Sequence, residues 1–247
     1  MQTSTLIRSL GQNDVRLVRR DQFLVGMALY PILAGFFARV AIPALSGLLL
    51  RELNFDLTPY YLLVVTYFIV LGTPLLEGMV VGFLLLDERD ENTLTALMVT
   101  PVSLRRYLAY RAAVPMLLTF VMSVVGLVIT SNLVALAFPH MLMVAASGSI
   151  IAALYALVMG AYAENKVQGF GIAKVANAFM VLPVAAYFLP EPGQYLVGIF
   201  PPYWSAKLLW SIVEGGGSPL VFFAISVAIQ AVGLVLVLRH FDRVVYR

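Results

Sequence analysis

The chain has 247 residues, of which 61% are hydrophobic and only 12% are charged, and its mean hydropathy is +0.92. Because a soluble domain carries about 25% charged residues, this composition excludes an ordinary soluble protein and indicates a polytopic membrane protein. The chain contains no cysteine, which excludes disulfides and thiolate chemistry.

Apolar runs of membrane-spanning length recur along the whole chain after an arginine-containing start. Residues 1–22 lack the short apolar core and small-residue cleavage site of a signal peptide, so they are expected to stay as a cytoplasmic amphipathic segment. We predict an all-α protein with a single transmembrane domain over 1–247 and six spans, at 23–42, 59–85, 112–138, 140–162, 168–189 and 219–239. Pro43 is expected to end the first span.

The basic residues are distributed unevenly between the two predicted sides of the membrane. With the N-terminus inside, the outer side holds only Arg39, Arg51 and Lys207. The inner side holds the other thirteen of the 16 lysines and arginines: Arg8, Arg16, Arg19, Arg20, Arg89, Arg105, Arg106, Arg111, Lys166, Lys174, Arg239, Arg243 and Arg247. The positive-inside rule therefore predicts a cell-membrane protein with both termini cytoplasmic, and the basic charge needs no nucleic-acid partner.

The most highly charged segment, residues 87–111, lies in the loop between the predicted second and third spans. Leu94, Leu97 and Met98 share one helical face, and Asn92 or Thr93 can cap its start. The acidic residues from position 87 onward favour a helix N-terminus, and the Thr100–Pro101 step ends the helix. The expected element is a short cytoplasmic helix. Three interpretations remain open on these residues: an interfacial helix, a solvated loop, or a docking element for a soluble partner.

This segment resembles the cytoplasmic loop of type-2 ABC-transporter permeases. The matching residues are Asp87, Glu88, Asn92, Thr93, Leu94, Leu97, Met98, Thr100, Pro101, Val102 and Ser103. The pattern departs from the family at Asn92, where glycine is usual, and at Thr95, where glutamate is common. In the family this segment is the coupling helix that fits a groove on a separate ATP-binding subunit.

The resemblance carries further expectations for the rest of the chain. It implies an N-terminal surface helix over 5–21, a membrane-dipping segment over 201–213, and a second copy or a related permease to complete the transport path. ATP would be bound by the partner ATPase, so no cofactor is expected on this chain. The resemblance extends to drug-efflux members, including fluoroquinolone-export permeases, which implies a small amphipathic or lipophilic cargo moved by alternating access.

Two ionisable residues and one stripe of small residues stand out within the predicted spans. Arg39 and Glu77 lie near opposite membrane faces, so a direct pair is not expected. Glu77 is a candidate cavity-lining residue, or alternatively a hydrogen-bonding residue within the bundle or a residue at the inner interface of a tilted helix. A stripe of small residues predicts close helix packing in the fourth span and consists of Gly148, Ala152, Ala156 and Gly160.

No catalytic constellation is present in the sequence. It contains no H-E-x-x-H or G-x-S-x-G string and no phosphate-binding G-x-x-x-x-G-K-[ST] loop, and its only histidines are His140 and His240. We therefore expect a non-enzymatic permease with no catalytic, cofactor-binding or metal-binding residues. The alternatives are a membrane scaffold and a self-powered carrier or lipid-handling protein without an ATPase.

Overall fold

A computed structural model describes the backbone over residues 3–90 and 104–245, and the side chains over 10–90 and 106–240. Within these ranges the chain is helical throughout, with short connections and no strand. The helices are Thr3–Arg20, Gln22–Ala28, Tyr30–Leu53, Tyr61–Val65, Gly72–Asp90, Leu104–Ile129, Phe138–Tyr162, Lys166–Phe179, Val181–Ala186, Pro202–Glu214 and Pro219–Val245, and a π-helical segment spans Thr66–Leu71.

Six helical stretches in the described residues are long and apolar enough to cross a membrane, as predicted. They are Tyr30–Leu53, Thr58–Asp90, Arg106–Asn132, Phe138–Tyr162, Lys166–Ala186 and Pro219–His240, here called spans one to six. Local capping explains where span five begins. Asn165 accepts a hydrogen bond from the backbone N–H of Gln168 and so starts this helix.

The first span differs from the prediction at Pro43. Its helix passes through this proline and continues to Leu53, so the proline does not end it. A proline within a spanning helix is tolerated where neighbouring groups satisfy the freed backbone carbonyl. The break in the N-terminal region lies instead at Leu29, between the short helix Gln22–Ala28 and the span itself.

Span two is the centre of the bundle. In its most apolar window 94% of the residues are buried, against 17% in span six and 28% in spans one and five. The π-helical segment Thr66–Leu71 lies within this span and is buried at Thr66, Ile69, Val70 and Leu71. Span two is therefore the most buried span and also contains a π-helical segment. Such segments are rare and often occur at functional positions.

Spans two and four approach each other closely through small residues. A Cβ atom added at Gly78 would lie 2.5 Å from the backbone oxygen of Ala152, and one added at Gly148 would lie 3.2 Å from Pro74. Ala152 and Ala156 are fully buried. Gly148 and Ala152 of the predicted stripe therefore lie against span two, where backbone-to-backbone packing needs side chains of this size.

The helix Pro202–Glu214 corresponds to the segment expected to dip into the membrane, and two of its three aromatic residues are deeply buried. Tyr203 is 0% exposed and Trp210 is 3% exposed, so both pack inside the bundle and neither anchors the helix at the membrane interface. The indole N–H of Trp210 donates to the Thr66 hydroxyl at 3.0 Å. This bond joins the helix to the π-helical segment of span two.

Three buried serines connect span four, the helix Pro202–Glu214 and span six. The Ser147 hydroxyl lies 2.6 Å from that of Ser205 and 2.7 Å from that of Ser226. The Gln230 amide donates to Ser226 at 2.7 Å and to Ser205 at 3.2 Å. In a lipid environment such bonds hold helices together because the alternative is an unsatisfied polar group.

Candidate functional site

Span two ends in four consecutive charged residues, and the first three, Asp87, Glu88 and Arg89, each contact a different part of the bundle. Asp87 pairs with Lys166 at the start of span five at 2.7 Å. Arg89 donates to the Ala163 carbonyl, just after span four, at 3.1 Å. Glu88 pairs with a residue of span three. This end of span two is therefore tied to three neighbouring spans.

These residues belong to the end of a helix and not to the beginning of one. The helix Gly72–Asp90 continues past position 85, where the sequence predicted the span to end, so the acidic residues up to Asp90 lie in the last turns of span two. Carboxylates at a helix C-terminus are disfavoured by the helix dipole. The ion pairs of Asp87 and Glu88 offset that cost.

Arg111 of span three is the centre of a buried ionic cluster, defined as Asp14, Glu88, Tyr107, Tyr110 and Arg111. Its guanidinium donates to both oxygens of Asp14 at 3.0 Å and also pairs with Glu88. The Tyr110 hydroxyl donates to Asp14 at 2.6 Å, and the Tyr107 hydroxyl donates to Glu88. Arg111 is 0% exposed although it is fully charged.

All four carboxylate oxygens of the ionic cluster have a donor. This matters because buried charges are tolerated only when they are paired and their remaining lone pairs are hydrogen-bonded. The Arg111 guanidinium also lies 5.5 Å from the Tyr107 ring centroid and 5.4 Å from that of Tyr110. The cluster is thus a satisfied and specific junction between elements far apart in sequence.

The ionic cluster joins the N-terminal helix to both spans that flank the predicted coupling segment. Asp14 lies on Thr3–Arg20, Glu88 ends span two, and Arg111 lies in the first turns of span three. The predicted surface helix at 5–21 is confirmed as a helix over Thr3–Arg20. The predicted coupling residues themselves lie outside the described residues, and they are Asn92, Thr93, Leu94, Leu97, Met98, Thr100 and Pro101.

Sequence reasoning missed the ionic cluster, although a signal was present. Asp14 lies between Leu10 and Leu17 at helical spacing, so it places a carboxylate within the apolar face of an amphipathic helix. A charge on an apolar face is expected to find a buried partner. Arg111 was assigned only to the positive inner side, and its distance of 97 residues from Asp14 gave no local hint.

Glu77 is fully buried in span two, and neither of its carboxyl oxygens has a hydrogen-bond partner among the described residues. It does not line either of the two larger cavities described below. Arg39 does not pair with it, in agreement with the sequence, and donates instead to the Ile129 carbonyl of span three at 2.7 Å. A cavity-lining role for Glu77 stays a prediction.

Two larger cavities lie between spans. The first, of about 580 Å³, lies between the beginning of span one with its preceding helix, span two and span five. It is lined by aromatic, thioether and polar side chains, with Lys174 as its charged group. The second, of about 630 Å³, lies between spans four, five and six and has an almost wholly apolar lining. Both fall in the size range of small-molecule sites.

Six apolar spans and a buried central span define the chain as a polytopic helical membrane protein. A sequence profile described as "Fluoroquinolones export permease protein Rv2686c-like" matches residues 14–238, and the chain belongs to this family. Two curated relatives from Mycobacterium tuberculosis are each 30% identical over 211 residues, covering 85% of this chain and 84% of theirs. They are the fluoroquinolones export permease proteins MT2760, of strain CDC 1551 / Oshkosh, and Rv2686c, of strain ATCC 25618 / H37Rv.

Proposed function

We propose that this chain is the membrane subunit of an ATP-driven exporter, with both termini cytoplasmic in the cell membrane, and that a separate ATP-binding-cassette ATPase supplies the energy. The observation that carries this proposal is the bridge that Arg111 makes between Asp14 and Glu88. It links the two spans on either side of residues 91–103 to each other and to the N-terminal helix. A force applied to that loop reaches three elements at once.

The coupling works through a rigid junction. ATP binding closes the two ATPase subunits, and the loop carrying Leu94, Leu97 and Met98 moves with the groove that holds it. Because Glu88 and Arg111 are paired and buried, the ends of spans two and three move together. Asp87 and Arg89 pass the motion to spans four and five. The bundle then alternates between openings to the two membrane faces.

The proposed complex contains two permease chains, either two copies of this one or one copy with a related permease. Six spans are half the complement that the resemblance to type-2 ABC permeases implies. The cargo is a small amphipathic or lipophilic compound such as a drug, and the names of the two relatives support fluoroquinolones as the first compounds to test. The chain itself performs no catalysis in this proposal.

The first experiment is affinity purification of the chain from native membrane, followed by identification of the proteins that accompany it. We expect a stoichiometric soluble ATPase with the unchanged chain and its loss in Leu97→Asp. Ala96→Asp is the matched control, because position 96 lies on the opposite face of the predicted helix and receives the same charge. An ATPase retained by Leu97→Asp contradicts the docking role. A chain that purifies alone supports the scaffold or self-powered carrier instead.

A further inference from the structure

We propose that Glu77 is a proton-binding site between spans two and three. Its carboxyl group holds a proton in the packed bundle and releases it to water when these two spans separate. The hydroxyl groups of Thr73 and Thr119 are the partners of the carboxylate that remains. The inference goes beyond the proposed export function, and it holds whether or not an ATPase drives the chain.

Glu77 lies deep in the bundle without a counter-charge. It is 13 residues before the end of span two at Asp90, about 20 Å along the helix, and its side chain is fully buried. No described lysine, arginine or histidine nitrogen lies within 4.0 Å of its carboxyl oxygens. An isolated carboxylate in such surroundings is far more costly than a neutral carboxylic acid, so the group keeps its proton. Carboxyl groups within spanning helices often belong to proton pathways.

Two of the four buried threonines in the described chain leave their hydroxyl groups unpaired. Thr66 and Thr130 each donate to the carbonyl four residues earlier in their own helix, at 2.8 and 2.9 Å. Such a bond is an ordinary arrangement for a threonine within a helix. Thr73 and Thr119 have no hydrogen-bond partner among the described residues, although both are 0% exposed. Their hydroxyl groups are therefore free to donate to another group.

Thr73 and Glu77 lie on the side of span two that faces span three. They are four residues apart, so their side chains share one side of the helix. Glu88 lies eleven residues, or three turns, after Glu77 on that same side, and it pairs with Arg111 of span three.

The ion pair of Glu88 is one of two contacts that fix the register of spans two and three, which run antiparallel. The other contact is at Gly126 of span three, where an added Cβ atom would lie 2.9 Å from the side chain of Ile69. Glu77 lies between these contacts, eleven residues before the first and eight after the second. The part of span three opposite Glu77 is therefore about 118–122.

Thr119 lies within that range, and it precedes Gly126 by two helical turns, on the side of span three that faces span two. One carboxyl group and two unpaired hydroxyl groups thus lie at one depth between the same two spans. When the spans separate, water enters and the carboxyl O–H bond breaks. The proton passes to water and the electron pair stays on the carboxylate. The hydroxyl groups of Thr73 and Thr119 then donate to the new charge.

The ionisable groups around span two leave Glu77 without a counter-charge. Beyond Arg111, span three contains no ionisable residue. On span four, Tyr155 starts beside Gly78, and a phenol is neutral near neutral pH. On span five, Lys174 is exposed and lines a cavity that does not include Glu77. On the other elements packed against span two, the ionisable groups that contact the bundle line the same cavity or are bonded elsewhere, and they are Asp14, Tyr30, Arg39, Tyr203 and Lys207.

The test is infrared spectroscopy of the purified full chain in an ester-free detergent, without any ATPase, because the C=O stretch of a carboxylic acid is separate from the bands of a carboxylate. Near neutral pH, where an exposed glutamate is ionised, we expect a carboxylic-acid band in the unchanged chain. The band should disappear in Glu77→Gln and shift in Glu77→Asp, which keeps an acid. Glu52→Gln is the matched control: Glu52 is exposed at the end of span one, so the band should stay.

Transfer into heavy water tests whether the bundle holds the proton. The band should move to lower frequency slowly, because the proton exchanges only when spans two and three separate. Immediate exchange would show a carboxyl group that is open to water and would overturn the proposal. Thermal unfolding of Glu77→Gln near neutral pH should match that of the unchanged chain, since glutamine has the size and neutrality of the protonated side chain.

An alkaline titration of the same band tests the two threonines. Thr73→Val and Thr119→Val should keep the band near neutral pH, because neither hydroxyl group contacts the neutral carboxyl group. Each should move the loss of the band to a more alkaline pH by about one unit or more, because the carboxylate loses a donor. Thr130→Val is the control, since that hydroxyl group is bonded within its own helix. An unchanged titration in both variants would overturn the role of the threonines.

Absence of any carboxylic-acid band that depends on Glu77 overturns the proton site. If the band then appears when sodium and potassium are replaced by a bulky organic cation, an alkali cation and not a proton occupies the site. Neither result depends on ATPase co-purification, so the failure of this proposal and the failure of the exporter function are distinguishable.

Discussion

Replacement of Arg111 by methionine tests the ionic cluster that connects the N-terminal helix to spans two and three. Methionine fills much of the same volume but leaves Asp14 and Glu88 buried without their shared counter-charge. Removal of one partner from a buried ion pair typically costs about 3–5 kcal/mol. For a chain of this length each kcal/mol lowers the melting temperature by about 2–4 °C, so we expect a decrease of roughly 6–20 °C.

The assay is thermal unfolding in detergent, followed by amide hydrogen exchange on the N-terminal helix. In Arg111→Met the helix Thr3–Arg20 should exchange faster, whereas Phe138–Tyr162, which carries no member of the cluster, should not. The triple variant Asp14→Asn, Glu88→Gln, Arg111→Met removes every charge of the cluster and should recover most of the lost stability.

A melting temperature of Arg111→Met within about 2 °C of the unchanged chain would refute the reasoning, because the predicted loss is several times larger. Failure of the triple variant to recover would show that packing around Arg111, and not charge, accounts for the loss. Arg111→Lys separates charge from geometry, since lysine keeps the charge but lacks the planar fork that reaches both carboxylates.

Two further predictions concern packing and pH. A Cβ atom at Gly78 would meet the backbone oxygen of Ala152 at 2.5 Å, so Gly78→Ala should lower the free energy of unfolding by about 1–3 kcal/mol. In the control Gly47→Ala the added Cβ atom meets nothing within 4 Å, and thermal unfolding should show no loss of stability. Glu191, in the loop before the helix Pro202–Glu214, accepts a hydrogen bond from Lys207, and this bond and the lysine's positive charge lower the pKa of Glu191 below the ordinary 4.5. The stability from this pair is therefore complete above that value and lost as pH falls through the lowered pKa. Proteolysis of residues 193–199 should accelerate only in that acidic range, and Glu191→Gln should abolish the pH dependence.

The sequence alone was sufficient for the helical class, the number of spans and the N-terminal helix. These features depend on local properties, because hydrophobic length and capping residues act within one helix at a time. Span ends were less well predicted. The helix of span one passes Pro43, and the Arg39 carbonyl, four residues earlier, accepts a hydrogen bond from the Asn132 side chain instead. The helix of span two continues to Asp90 because Asp87 and Glu88 find ion-pair partners on other spans.

Only the tertiary structure decided which side chains meet. Arg111 and Asp14 are 97 residues apart, and Trp210 and Thr66 are 144 apart, yet each pair is joined by a hydrogen bond in the folded bundle. Hydropathy sets how long a span is, but it does not set how the span is rotated or which helix it contacts. Rotation follows from the close packing of small residues and from buried polar partners, so the candidate site is a property of the assembled bundle.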